Sequence, residues 1–131
     1  MPQLELPKDI QDFLLRNIDS VTELEGLLVF YREPDTPFDA PELANRLYIG
    51  EQVAEEVLTV LEFRGFIALA TSTSHRSAYK FRPVSDELRS SIDHLAELYA
   101  KYLIPVTNFI HSKPNLAITQ FADAFRMRKK N

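Results

Sequence analysis

The sequence contains no cysteine, which excludes disulfides, thiolate chemistry and cysteine-based zinc sites. Glycine is scarce, at three residues, and 45% of the chain is hydrophobic. A chain of this composition can bury a core and is not disordered. Long apolar runs are missing as well, and none is long enough to cross a bilayer. The opening Met1-Pro2-Gln3-Leu4-Glu5 has neither the basic start nor the apolar stretch of a signal peptide. A cytoplasmic protein without a membrane partner is expected. Phosphate-binding and dinucleotide glycine patterns are absent. His75, His94 and His111 form no i, i+4 pair, the spacing that sets two metal ligands on one helix face. The serines lack a nucleophile-elbow context. No catalytic site, metal or cofactor is expected.

What is present begins with a charge asymmetry. The net charge of −4 over 131 residues conceals two unlike halves. Residues 1–66 carry five basic and fourteen acidic residues, a net of −9. Residues 67–131 carry ten basic and five acidic residues, a net of +5. Either one half faces a charged partner, or the two halves attract each other. The length fits one domain.

The apolar spacing predicts helices. Ile10, Phe13, Leu14 and Ile18 define a short amphipathic helix over Lys8 to Asn17. Ser20 and Glu23 have the spacing of a capping box, and Leu24, Leu27, Leu28 and Tyr31 follow at helical intervals. Glu33-Pro34-Asp35-Thr36-Pro37 ends that helix. Asp39 is a good cap for the next, with Pro41 in its first turn and Leu43, Ala44 and Leu47 inward. Tyr48-Ile49-Gly50 forms a turn with Ile49 as a buried plug. A helix then runs from Glu51 to Arg64 and buries Val53, Ala54, Val57, Leu58, Val60 and Leu61. Gly65 suits the left-handed position that closes it. Phe66–Ala70 and Ala78–Arg82 read as two strands around a polar turn, with Tyr79 and Phe81 on one face. Ser85 caps a long helix in which Leu88, Ile92, Leu95, Tyr99, Tyr102, Val106 and Phe109 repeat at 4-3-4-3-4-3. Pro105 should kink or break it. Leu116, Ile118, Phe121, Ala122 and Phe125 suggest a last amphipathic turn or two, followed by the basic run Arg126 to Lys130.

The order helix, turn, helix, hairpin over residues 38–82 resembles the winged helix-turn-helix regulators of the MarR and PadR types. The most specific stretch is Leu61-Glu62-Phe63-Arg64-Gly65-Phe66-Ile67. The resemblance implies a mainly α fold with a small antiparallel β-hairpin. Extra helices would flank it at residues 1–37, with a long dimerisation helix and basic tail over 83–131. A short strand at Phe38 is expected. In such proteins the second helix enters the major groove and the wing tip touches the backbone. Carried onto this chain, Gln52, Glu55 and Thr59 would meet the groove, with Arg46 nearby and His75, Arg76 and Lys80 along the wing. Leu88, Ile92, Leu95, Tyr99, Tyr102, Val106 and Phe109 would form a homodimer seam, unless they pack on the N-terminal helices of their own chain. Tyr99, Tyr102 and Phe109 could instead line a small-molecule cleft.

One feature departs from that pattern. From Glu51 to Glu62 the presumed recognition helix has four glutamates and no basic residue. Affinity for DNA comes mostly from neutralising phosphates, so this face would repel more than it attracts. The competing reading is a winged-helix interaction module that binds a basic protein partner instead of DNA.

Overall fold

The computed structural model describes residues 6–113. Its elements are α1 (Lys8–Asn17), α2 (Val21–Arg32), α3 (Ala40–Leu47), α4 (Glu51–Phe63), β1 (Ile67–Ser72), β2 (Ser77–Phe81) and α5 (Asp86–Lys101). A further helix, α6, covers residues 103–113. The expected amphipathic turn at Leu116–Phe125 and the basic run at Arg126–Lys130 lie outside the described residues.

The helix ends are chemically specified. The Ser20 hydroxyl accepts from the Glu23 amide at 3.1 Å. The Glu23 carboxylate reaches back to the amide of Asp19 at 3.3 Å, one residue earlier than a standard capping box. At α3 the box is complete: Asp39 accepts from the Glu42 amide at 2.9 Å, and Glu42 from the Asp39 amide at 3.1 Å. Ser85 caps α5 by accepting from the Leu88 amide at 3.0 Å. α4 ends in a left-handed Gly65 at φ 81°. The amides of Gly65 and Phe66 donate to Glu62 and Leu61, which satisfies two carbonyls the helix would otherwise leave open. Phe66 therefore closes the helix and does not open the strand, so β1 begins at Ile67. β2 likewise starts and ends one residue before its expected bounds.

The hairpin pairs Ile67 with Phe81 and Leu69 with Tyr79, with a register shift between Leu69 and Thr71. Phe38 adds the short strand expected of it, exchanging two 2.9 Å backbone hydrogen bonds with Tyr79. The Phe38 ring meets Phe30 edge-on at 5.4 Å, Tyr31 meets Phe81 at 5.8 Å, and Phe13 stacks on Phe66 at 5.9 Å. α2 thus lies at the centre of the core, with α3, α4 and the wing packed around it.

The C-terminal seam bears on two expectations. The helix breaks at Tyr102, whose φ of −130° is not helical, and not at Pro105 itself. The break lets Pro105 occupy the first turn of α6, where its missing N–H leaves no bond unmade. The Tyr102 carbonyl accepts from Val106 at 3.2 Å and starts the new helix. Second, Ile92, Leu95, Tyr99 and Val106 are buried within their own chain. Leu88, Tyr102 and Phe109 are half-buried. These residues pack beside α1 and α2, where His94 meets Asp9 at 3.0 Å and Tyr99 meets Glu25 at 2.7 Å. Leu103 and Ile104 are what α6 leaves exposed.

At the α1–α2 junction two distant elements, the ends of α4 and α6, meet on Asp19. Lys113 donates to one carboxylate oxygen at 2.9 Å and Arg64 to the other at 3.1 Å. Lys113 also bonds the carbonyls of Leu14 and Ile18, and Arg64 that of Arg16. The Lys113 hydrogen bond, with Arg64 assisting, holds the Asp19 carboxyl below the usual carboxylate range.

Tyr99 gives a pH test of this packing. Burial, and then its bond to Glu25, push the phenol up to about 12. A raised folded pKa adds stability that is complete below the unfolded value near 10 and disappears as pH climbs through the folded one. Stability is expected to fall between pH 10 and 12, with this group contributing on the order of 2 kcal/mol. Tyr99→Phe should shrink that alkaline loss. Urea midpoints measured from pH 8 upward decide it, since parallel alkaline limbs for the two proteins would remove Tyr99 as the cause.

Candidate recognition surface

The outward face of α4 is set by what the helix buries. Ala54, Val57, Leu58 and Leu61 turn into the core. α2 comes close enough here that a Cβ on Gly26 would meet the Val57 side chain at 2.8 Å. Any side chain larger than hydrogen would force the Val57 side chain to shift. Gln52, Glu55, Glu56 and Thr59 are consequently exposed. Val53 is exposed too, contrary to expectation, and Val60 is half-buried. The buried stripe is narrower than the apolar stripe of the sequence, because α2 and α3 cover only one side of α4. Ile49 packs against the core but is not fully covered.

The wing tip is braced by Thr73, whose amide donates to the Arg76 carbonyl at 2.8 Å and whose hydroxyl accepts from the Arg76 amide at 3.1 Å. Tip and helix face each other across a cleft of about 700 Å³. Glu55 and Thr59 line one wall, and His75 and Arg76 the other. Four of the candidate residues are therefore brought together. Gln52 lies with Glu55, Glu56 and Thr59 on the adjoining shallow surface. Lys80 pairs with Ala68 in the hairpin and is half-buried.

The cations nearest this face are already engaged. Arg76 pairs with Asp39 at 3.3 Å, and Asp39 is only 3% exposed. Arg46 is held by Glu33 and lies over the Phe38 ring at 5.0 Å. Its hydrogen bond lowers the Glu33 carboxyl, while Glu33 raises the Arg46 guanidinium. Arg64 turns inward to Asp19. The outward side of α4 thus keeps its glutamates with little compensation.

Sequence reasoning missed two residues here. Phe63 is 87% exposed and Tyr48 is 95% exposed. The signal for Phe63 was available, since Gln52, Glu56 and Thr59 extended by four residues reach it. Tyr48 closes α3 in a left-handed conformation at φ 56°, which turns its ring outward. Tyr99, one candidate for a small-molecule cleft, is closed off by core and by Glu25. Among the described residues no three histidine, aspartate or glutamate side chains converge as a metal site would. No described helix is long and apolar enough to cross a membrane.

No protein-family model matches the sequence, and no curated protein does. Solved structures do match. MepR of Staphylococcus aureus, in a complex with DNA, aligns over 90% of each chain with TM-score 0.56 and 9% identity. The heme sensor protein PefR of Streptococcus agalactiae, with heme, aligns over 92% of this chain and 84% of its own, at TM-score 0.54 and 16% identity. HlyU of Vibrio cholerae aligns over 74% of this chain and 99% of its own, at TM-score 0.53 and 21% identity. The chain shares the winged helix-turn-helix fold of these structures, with helices added before and after the motif.

Proposed function

We propose that this chain is a single-domain, dimeric, cytoplasmic transcription regulator that binds double-stranded DNA without a cofactor and catalyses nothing. α4 enters the major groove and the wing follows the backbone. Gln52 and Thr59 face base edges, and Glu55 accepts from a cytosine amino group. His75, Arg76 and Lys80 approach phosphates, with Arg46 at the margin. A second copy is recruited by the exposed Leu103 and Ile104 at the rim of the seam. The observation that carries the reading is the shared cleft of α4 and the wing tip, in a fold that MepR presents to DNA.

A second reading has its own observation. Arg46, Arg64 and Arg76 are all held by carboxylates, which leaves the α4 face acidic. That favours a protein-interaction module with a basic partner over a phosphate-binding surface.

Fluorescence anisotropy on a random-sequence duplex separates the two. Under the DNA reading, affinity should fall roughly tenfold to a hundredfold between about 50 and 200 mM salt. Lys80→Ala should lower the salt slope by about one. No binding at the lower salt would overturn the DNA reading in favour of the protein module.

A further inference from the structure

α4 has apolar side chains on its open side as well as on its buried one. Val53, Val60 and Phe63 follow one side of the helix at intervals of seven and three, and Tyr48 stands in the turn before it. None of the described residues covers Phe63 or Tyr48. A lone exposed aromatic needs no explanation, but aromatic and aliphatic side chains aligned along one helix mark a docking face. Glu56 lies within this line, Glu55 and Glu62 lie on the wing side of the helix, and all three are exposed. The occupant must therefore be both apolar and basic.

We propose that the C-terminal segment of the chain itself, residues 116–130, docks along the outward face of α4. Its composition is complementary. Phe121, Phe125 and Met127 supply apolar side chains, and Arg126, Arg128, Lys129 and Lys130 supply four cations against the single acid Asp123. Its point of departure fits as well. Lys113 and Arg64 share the Asp19 carboxylate, so the segment leaves the described fold beside the residue that follows Phe63. The thirteen residues of α4 span about 20 Å, and eighteen residues of chain reach up to about 60 Å, so length sets no limit. Docking joins the acidic and basic halves of the sequence. The docking itself does not depend on DNA being a ligand.

The chain has no tryptophan, so Phe63→Trp places one indole on this face. Acrylamide quenching of that indole, without DNA and at low salt, reports whether the face is covered. Several weak ion pairs and two buried rings should favour the covered form by about tenfold. Reversing the segment's charge (R126E, R128E, K129E, K130E) should then raise quenching roughly threefold or more and red-shift the emission. Glu56→Gln with Glu55→Gln should do the same from the other side, with helical circular dichroism unchanged. Equal quenching with native and reversed segments would overturn the proposal. So would protection that is lost on dilution, which would assign the covering to a second copy. Neither result alters the duplex measurement, so the two proposals fail separately.

Discussion

Phe30→Ala is expected to lower the unfolding free energy by about 3–5 kcal/mol, a large share of the 5–15 kcal/mol typical of a small protein. Phe30 is fully buried in the last turn of α2. Its ring supports the edge of Phe38, and Phe38 holds the wing through two backbone hydrogen bonds to Tyr79. The Arg46 guanidinium lies over the Phe38 ring. Removing the Phe30 ring therefore opens a cavity and also loosens the ring that ties α2, the entry to α3 and the hairpin together. Phe30→Leu keeps most of the volume and should cost only about 1–2 kcal/mol. Urea unfolding should show a lower midpoint with an unchanged slope. A double-mutant cycle with Phe38→Ala should show coupling of about 0.5–1.5 kcal/mol beyond burial. A loss below about 1 kcal/mol for Phe30→Ala would mean that the site collapses around the gap and the wing does not depend on it.

Asp39 carries the second large effect, and it connects stability to recognition. One oxygen caps α3 and the other holds Arg76 at the wing tip. Asp39→Ala removes both roles and should cost about 1–2 kcal/mol, chiefly from the lost cap. Arg76 is largely exposed, so the ion pair adds little to stability. Asp39→Asn keeps an acceptor for the Glu42 amide and should stay within about 0.5 kcal/mol of the parent. Both variants remove the carboxylate that neutralises Arg76. Under the DNA reading, both should bind a random duplex several-fold more tightly at low salt. Equal destabilisation by Asn and Ala would show that the ion pair, not the cap, does the stabilising. Unchanged duplex affinity would mean that Arg76 does not face phosphate.

The local structure of this fold was legible because its signals act within a few residues. Ser20, Asp39 and Ser85 cap helices through amides three positions on. Gly65 closes α4 because a positive φ suits a residue with no Cβ. Phe38 paired with the wing as expected of a short first strand. The candidate surface was legible in part. Helical periodicity placed Gln52, Glu55 and Thr59 outward, and the polar turn between the two strands, with the resemblance, placed His75 and Arg76 at the wing tip. Val53 and Phe63 escaped because a wide apolar stripe does not say how much of it the neighbouring helices will cover.

The sequence by itself determined the order of elements, their caps and breaks, the apolar face of each helix and the acidity of α4. Each of these depends on residues close together in the chain, where backbone geometry alone brings groups into contact. The tertiary structure alone decided which surface each apolar face meets and where each charge is spent. The α5 repeat reads the same whether it faces a partner or its own α1 and α2, and only packing shows Ile92, Leu95 and Tyr99 inside. Arg46, Arg64 and Arg76 look free in the sequence. Each is taken by a carboxylate on another element, and no spacing rule links such pairs. The character of the α4 face, acidic and partly apolar, results from those long-range pairings.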